Sequence, residues 1–374
     1  MNTRKLRNLA FSFHRYVGLA VGLILVIVGL TGSLLVFNHE INVALVKQKY
    51  ERVIPRSQTL SLDAIANSVN QTYANQSDYK IHQFDLHFDP DIYKVRLINS
   101  ESKQLEVFVN AYTGKILGGR SRDKAFFDKV YSIHYQLFAG DIGTIIVGVA
   151  ALLLFFLTVT GLILWNGWRN FLAGFKIKLN ASNKRRHYDI HKVSGIIALV
   201  FLAMISISGF VWNFYDQSQP AIYNLTFSPQ PPEVKSTPTN NKTIAIAEVL
   251  KQANATIPQA KASFISIPTQ PEEVFTVYMK QPEDAQYFAN NVQIDRYSGE
   301  VLYFINSKTA SLGDRVLNAF APMHYGTFGG LATRILYVFI GLSPTVLFIT
   351  GLIMYRLRRR PQAVKQPPKE LAER

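Results

Sequence analysis

The stretch IHYQLFAGDIGTIIVGVAALLLFFLTVTGLILW, from Ile133 to Trp165, joins a histidine to a long apolar run. A matching stretch, MHYGTFGGLATRILYVFIGLSPTVLFITGLIMY, runs from Met323 to Tyr355. In each stretch the histidine, His134 or His324, stands 26 residues before a Thr-Gly-Leu. Hydrophobic packing alone does not require a histidine before each of two matched apolar runs. The pattern therefore indicates a ligand shared between them.

Four uncharged runs predict four membrane-spanning helices. They are Tyr16 to Phe37, Ile142 to Trp165, Val193 to Tyr215 and Ile335 to Tyr355. Each is long enough to cross a hydrocarbon core, which needs about 20 helical residues. Basic residues precede the first run, but it is too long for a signal-peptide core and has no small-x-small cleavage site. We therefore expect it to be a retained helix.

The net charge of +15 is confined to three segments, residues 1–15, 166–192 and 356–374. The rest of the chain carries equal numbers of acidic and basic residues. This distribution argues against nucleic-acid binding. Because the basic segments flank alternate ends of the apolar runs, the positive-inside rule places both termini and the central loop in the cytoplasm. The two large loops are then external.

Each large loop predicts a small α+β module. In the first, Ser61 to Thr72 has helical spacing, Gln104 to Asn110 alternates, and YTGKIL follows from Tyr112. In the second, residues 243–253 have helical spacing and YSGEVL begins at Tyr297. We therefore predict an all-α, four-helix transmembrane bundle, built by duplication of a two-helix unit, with two external α+β modules.

The predicted segments follow in chain order. They are a cytoplasmic N-terminus (1–15), a first span (16–38), a first module (39–133), a second span with its outer histidine (134–166), a basic cytoplasmic loop (167–190), a third span (191–215), a second module (216–323), a fourth span with its outer histidine (324–356) and a cytoplasmic tail (357–374).

Five of the eight histidines lie at span ends. His14 and His191 are equivalent at the cytoplasmic ends of the first and third spans, and His134 and His324 at the external ends of the second and fourth. His187, one turn before His191, is an alternative inner ligand. The remaining three histidines have no equivalent in the other half, and we expect them to be surface or ordinary packing residues: His39, His82 and His87.

The absence of cysteine limits the chemistry. It excludes covalent c-type haem attachment, cysteine-ligated iron–sulfur clusters and disulfides. Two histidines from opposed helices are what axial ligation of a non-covalent b-type haem needs. On the first helix, glycines 18, 22, 29 and 32 share a stripe with His14. The stripe fits either helix contact through small residues or a flat macrocycle against the backbone.

At these motifs the chain resembles the PepSY-associated transmembrane family, which includes iron-regulated inner-membrane siderophore reductases. The resemblance rests on the two opening stretches, the two module ends, HRYVGLAVGLILVIVGLTGSLLVF from His14 and RRHYDIHKVSG from Arg185. It implies a bacterial inner-membrane oxidoreductase with two bis-histidine haem b groups, which reduces a periplasmic ferric siderophore or ferric chelate. The implied ligands are His14, His191 (or His187), His134 and His324.

Several neighbouring residues have two interpretations. The basic residues beside the inner histidines are expected either to neutralise haem propionates or to anchor the membrane span: Arg15, Arg185, Arg186 and Lys192. Tyr135 and Tyr325 are expected either to contact the acceptor or to anchor at the interface. No nucleotide-binding GxGxxG or P-loop is present, so the electron donor is a quinol or a separate cytoplasmic reductase.

Two questions stay open at this level. From His134 to Trp165 a straight helix would rise about 46 Å, beyond an apolar core of about 30 Å, unless it breaks at Gly140. Electron transfer between widely separated haems would need intermediate residues, for which Trp212, Tyr215 or Phe138 are candidates.

The alternative function is a haem-free permease or accessory scaffold whose modules bind a ligand or partner.

Overall fold

The computed structural model describes residues 3–73, 78–239, 242–284 and 289–359, which form a helical bundle and one β-sheet. The helices are α1 (Thr3–Leu35), α2 (Asn38–Lys49), α3 (Leu62–Tyr73), α4 (Phe126–Gln136), α5 (Gly140–Leu164), α6 (Phe171–Gly174), α7 (Asn183–Asn213), α8 (Tyr215–Leu225), α9 (Ile246–Thr256), α10 (Leu312–Tyr325) and α11 (Gly330–Arg359). The predicted tail falls almost wholly beyond residue 359, outside the described residues.

Helices α1, α5, α7 and α11 are each long and apolar enough to cross a membrane, which confirms the four predicted spans. They form a ring in which α1 contacts α5 and α11, and α7 contacts the same two. Helices α1 and α7 are therefore diagonal partners. Backbone approaches backbone between α1 and α11, because a Cβ atom on Gly29 would collide with the carbonyl of Gly341.

The strands form a single antiparallel sheet. They are β1 (Lys80–Asp85), β2 (Ile92–Ile98), β3 (Gln104–Asn110), β4 (Ile116–Ser121), β5 (Lys261–Ser266), β6 (Phe275–Lys280), β7 (Asn290–Ile294) and β8 (Val301–Ile305). Their order is β4-β3-β2-β1-β5-β6-β7-β8, symmetric about the β1–β5 pair. The sequence predicts two modules, and the structure joins their strands edge to edge, with Phe84 opposite Ile265.

Helices α3 and α9 cover one face of this sheet and share its core. Val69 of α3 and Val249 of α9 are fully buried in one cluster with Phe84 and Val277. Asp63 of α3 also links the two halves, because its carboxylate accepts hydrogen bonds from the first two backbone N–H groups of α9. We call residues 62–121 and 246–305 the sheet domain.

The chain reverses between each outer histidine and the span that follows it. Helix α4 ends at Gln136, and Leu137, Phe138 and Gly140 have φ angles of 52°, 57° and 56°. This turn packs so closely on Gly143 that no Cβ would fit there. Gly326 and Gly330 make the corresponding turn after α10, with φ angles of 69° and 65°. His134 and His324 therefore lie on short helices that fold back over the bundle.

Candidate functional site

His14 and His191 meet across the centre of the bundle, and we call them the sheet-distal pair. They come from the diagonal helices α1 and α7, with ring centroids 6.0 Å apart and ring planes at 81°. The Nδ1 atom of His14 lies 3.0 Å from the hydroxyl of Thr160 on α5. The Nδ1 atom of His191 lies 3.0 Å from both the Leu347 carbonyl and the Thr350 hydroxyl on α11.

His134 and His324 form a second pair, the sheet-proximal pair, with the same geometry. Their ring centroids are 6.1 Å apart and their planes meet at 77°. The Nδ1 atom of His134 lies 2.8 Å from the Val28 carbonyl and 3.2 Å from the Thr31 hydroxyl, both on α1. The Nδ1 atom of His324 lies 2.8 Å from the Ser208 hydroxyl on α7.

These partners fix which ring nitrogen carries the proton. A carbonyl oxygen only accepts hydrogen bonds, so Nδ1 of His134 and of His191 must donate. The hydroxyl of Thr160 donates to the Phe156 carbonyl at 2.8 Å, and that of Ser208 donates to the Met204 carbonyl at 2.8 Å. Both hydroxyls therefore accept from their histidines. All four imidazoles keep the Nε2 lone pair, which is the form that binds a metal ion.

The same dipeptide receives all four histidines. Each long helix contributes one hydroxyl–glycine dipeptide that contacts a histidine, and these are Thr31-Gly32, Thr160-Gly161, Ser208-Gly209 and Thr350-Gly351. Helix α7 has a second such dipeptide, Ser194-Gly195, whose glycine lies against Leu347 instead. A Cβ atom on the four glycines that contact a histidine would lie 2.9, 3.3, 3.5 and 3.8 Å from Cε1 of His134, His14, His324 and His191 respectively. The hydroxyl holds the ring and the glycine leaves room for it. In the sequence, Thr-Gly-Leu marks only the dipeptides at Thr160 and Thr350, so its repetition does not reveal the equivalent role of the other two.

The two pairs lie at opposite ends of the bundle. Thr31, which holds His134, follows His14 by 17 residues on the same helix. That length of helix rises about 26 Å. Each pair is therefore a separate site, and the turn at Gly140 resolves the excess length expected of a straight helix from His134.

Aromatic side chains lie beside the sheet-proximal pair. The indole of Trp212 is centred 4.8 Å from the ring of His324, and it lies 5.4 Å from the half-exposed ring of Tyr325. Tyr135 stacks on Tyr131 at 5.7 Å. Three residues were candidates for carrying electrons between the sites. Among the ring contacts described, Trp212 is the one of the three that touches a histidine of either pair.

The basic residues near the sheet-distal pair have defined partners. The carboxylate of Asp189 accepts hydrogen bonds from Arg185 at 3.1 Å and from Lys192 at 3.2 Å. The guanidinium of Arg15 stacks on Tyr16 at 4.3 Å. Arg186 bonds to the side chain of Asn183. Contact of these four residues with propionates stays a prediction.

His187 lies one turn before the pair, whereas the described ring contact of His14 is with His191. The Nδ1 atom of His187 and the Nε atom of Arg15 are buried, and neither has a hydrogen-bond partner in the described part of the chain.

The glycine stripe on α1 serves mainly helix packing. The ring of Phe348 fills the space at Gly22, and α11 backbone lies against Gly29. His134 occupies the space at Gly32, and Gly18 is in ordinary contact with Leu157, since its Cβ would lie 3.7 Å from that side chain.

Two histidines expected to be unrelated also meet. His39 at the start of α2 and His87 after β1 stack with centroids 4.6 Å apart and planes at 6°. Burial and the neighbouring His39 lower the pKa of His87 to about 4. This stack joins α2 to the sheet domain, and its two members are too far apart in sequence for a local pattern to reveal it.

Comparison with known proteins identifies the chain. A search of curated proteins finds no match. Across the described residues, no group of three or more His, Cys, Asp or Glu side chains is placed to hold a metal ion. The family model described as the PepSY-associated TM region matches residues 11–358, a span that includes both histidine pairs, all of α5 and α7, α1 from residue 11 and all but the last residue of α11. The chain is therefore a multi-pass membrane protein and belongs to the PepSY-associated TM family.

Proposed function

We propose that this protein is a bacterial inner-membrane oxidoreductase that holds two non-covalent b-type haems and reduces a ferric siderophore or ferric chelate in the periplasm. The two histidine pairs carry the proposal, because every ring has Nδ1 fixed and Nε2 available. In this proposal both termini are cytoplasmic and the sheet domain is periplasmic, as the charge distribution favours. The chain would be a duplication, which the symmetric strand order supports.

The residues fit this cofactor. A metal–imidazole bond is about 2 Å long, so two rings bound end-on to one ion would have centroids roughly 6 Å apart. The observed separations are 6.0 and 6.1 Å. Each pair offers two protein ligands, and the described residues hold no cluster of three or more. Two ligands suit a group that brings its remaining ligands itself, as haem does.

The chain's own groups would orient and balance the cofactor. A haem bound at each pair would supply one-electron chemistry within the membrane. Hydrogen bonds from Nδ1 to helix carbonyls and to serine and threonine hydroxyls hold the four imidazoles in one tautomer, which also makes each ring a better ligand. Near the sheet-distal pair, Arg15 Nε is a buried donor suited to a carboxylate, and His187 Nδ1 is a second buried nitrogen that donates in the tautomer in which it carries the proton.

The sheet-proximal end has features suited to an acceptor. Siderophores hold Fe(III) far more tightly than Fe(II), so one electron delivered outside the membrane loosens the metal without destroying the carrier. Trp212 and the half-exposed Tyr325 extend from His324 toward the surface. The donor would be a quinol or a separate cytoplasmic reductase, since the sequence has no nucleotide-binding motif of its own.

An optical spectrum tests the cofactor. Purified protein should show the sharp reduced bands of bis-histidine haem b, with about two haems per chain extractable by acid because no cysteine anchors them. His324→Ala should lose one haem, whereas His82→Ala, a histidine substitution in β1 of the sheet domain, should keep both. A spectrum without haem bands after haem-replete expression would favour the permease or scaffold instead.

A reoxidation experiment tests the reaction. The protein is reduced with dithionite, freed of excess reductant, and mixed anaerobically with a ferric siderophore and an Fe(II) trap. We expect the reduced bands to disappear as trapped Fe(II) appears. Reduced bands that persist with several chemically different ferric chelates would leave an electron-transfer protein with some other acceptor.

A further inference from the structure

The segment between α5 and α7 presents apolar side chains that no described part of the protein covers. It reads NGWRNFLAGFKIKLN, residues 166–180, and we call it the connecting segment. The side chains of Trp168, Phe171, Leu172 and Leu179 are between 65% and 80% exposed. Four large apolar side chains on one short segment would be costly to expose to water.

An aromatic cluster holds this segment in shape. Trp165 is buried at its start, and its ring lies against Gly167 and Gly174 so closely that neither position has room for a Cβ atom. The rings of Trp168, Phe171 and Phe175 pack edge-on to Trp165, with centroids 5.6–5.9 Å away. The aromatic cluster around Trp165 therefore fixes the position of the exposed apolar side chains.

Buried charges tie the segment to α7. The ammonium of Lys192 donates to the carbonyls of Ala173 and Lys176 at 3.0 and 3.1 Å. The carboxylate of Asp189 accepts from the backbone N–H of Lys178 at 3.2 Å. Both side chains are buried, and they bond to each other. The segment is thus fixed at the ends of two membrane-spanning helices, and Trp168 donates to the Leu162 carbonyl of α5 at 2.8 Å.

Its charge is entirely positive. Arg169, Lys176 and Lys178 alternate with the apolar residues, and the next acidic residue along the chain is the buried Asp189. Tryptophan and cationic side chains beside the end of a span are characteristic of the lipid headgroup layer. Anionic headgroups attract cations there by about 1 kcal/mol each.

We propose that the connecting segment lies in the headgroup layer of the bilayer and binds anionic phospholipid. The apolar side chains enter the boundary between headgroups and acyl chains, and the three cations contact lipid phosphates. This inference rests on the membrane helices and not on the proposed redox function. An acidic soluble protein docked on the same surface is the competing occupant, and the experiment below separates the two.

Tryptophan quenching in nanodiscs tests the location. The chain has three tryptophans, of which Trp165 is buried and Trp212 lies at the other end of the bundle. The difference in fluorescence between the wild type and Trp168→Phe is therefore the emission of Trp168. In full-length protein, phospholipids brominated near the headgroup should quench this signal at least about twofold more than those brominated near the chain end. Strong quenching by aqueous acrylamide with none by brominated lipid would overturn the proposal.

Lipid charge provides the second measurement. Brominated phosphatidylglycerol should quench Trp168 more than brominated phosphatidylcholine at equal mole fraction. Converting quenching to partition constants, we expect this preference to fall about fivefold for each cation removed in Arg169→Gln, Lys176→Gln and Lys178→Gln. The matched control removes three exposed cations of the sheet domain, Lys103→Gln, Lys115→Gln and Lys251→Gln, and should keep the preference. Equal quenching by the two lipids in the wild type would refute anionic selectivity.

Discussion

Each histidine of the two pairs is positioned by a hydroxyl residue and a glycine on a neighbouring helix. The hydroxyl donates its hydrogen bond to a backbone carbonyl of its own helix, so its oxygen accepts from the imidazole. The glycine has no side chain and therefore leaves room for the ring. Such outer partners orient a ligand and raise its basicity. The clearances at the four glycines differ, which makes their roles separable by substitution.

The tightest of these contacts predicts a graded effect of alanine. A Cβ atom at Gly32 would lie 2.9 Å from Cε1 of His134, whereas one at Gly351 would lie 3.8 Å from Cε1 of His191, an ordinary contact. Gly32→Ala should therefore displace His134, cost on the order of 1–3 kcal/mol and reduce the content of the proposed haem by one. Gly351→Ala should have the smaller effect on both haem content and thermal stability. Equal losses in the two variants would contradict this positioning role.

At the scale of single elements, periodicity predicted most of the secondary structure. The alternating run Gln104 to Asn110 is β3, and the expected helix Ser61 to Thr72 is α3 within one residue. Apart from the break allowed at Gly140, the sequence did not predict the turns after α4 and α10. In the turn after α4, Leu137 and Phe138 adopt positive φ angles that their residue types disfavour. Tertiary packing on Gly143, which sequence does not display, stabilises that turn.

The site was predicted in part for the same reason. Repetition identified all four pair histidines, since equivalent positions recur in the two halves. The pairing of His14 with His191 could also be predicted, because both residues lie at the same end of their predicted membrane spans. The stack of His39 on His87 was not, because neither residue has an equivalent and the contact depends on how α2 meets the sheet.

Within the sheet, one buried carboxylate balances several cations. Glu106 on β3 makes two hydrogen bonds to Arg120, at 2.7 and 2.8 Å, and lies 3.7 Å from Lys94 and 3.6 Å from Arg96. Burial raises the pKa of Glu106, but the Lys94 and Arg120 charges outweigh it and hold the pKa below its ordinary value of 4.5. The ionised form therefore stabilises the fold.

We predict that Glu106→Gln destabilises the protein by roughly 3 kcal/mol at pH 7. A depressed pKa in the folded state contributes stability that is complete above the unfolded pKa and is lost as pH falls through the folded value. The difference in thermal stability between wild type and variant should thus be constant above pH 4.5 and shrink below it. The exposed pair of Glu101 with Lys103 supplies the control, since Glu101→Gln should change stability by no more than about 0.5 kcal/mol at any pH. A difference that is the same at pH 3.5 and pH 7 would be incompatible with this mechanism.

At the scale of the whole molecule, we expect the two modules to unfold cooperatively, because their strands form one continuous sheet. Val95 on β2 and Val277 on β6 are both fully buried, on opposite sides of the β1–β5 junction. Val277→Ala should cost about 1–2 kcal/mol and speed amide exchange in β2 and β3 as well as in β6 and β7. Val95→Ala should give the reciprocal result. Faster exchange confined to the mutated half would show two independent modules.

The orientation of the whole molecule has its own test. The excess positive charge lies on alternate loops, so a reporter fused after Arg186 should be cytoplasmic and one after Ser100 periplasmic. Activity-based reporters of each compartment check both fusions. A periplasmic reporter at Arg186 would overturn the orientation and, with it, the delivery of electrons to a periplasmic acceptor.

The separation of the two pairs predicts how substitutions combine. His134 and His324 face one another, about 26 Å along the helix from His14 and His191. In the proposed two-haem protein, removing either member of a pair should release the same haem, so His134→Ala combined with His324→Ala should lose no more than each alone. His14→Ala combined with His324→Ala should lose both haems, because the two sites share no ligand and distant sites are additive. Haem content and reduced spectra of the single and double variants measure this. If His134→Ala and His324→Ala released different haems, the pairing across the bundle would be wrong even though haem binding survived.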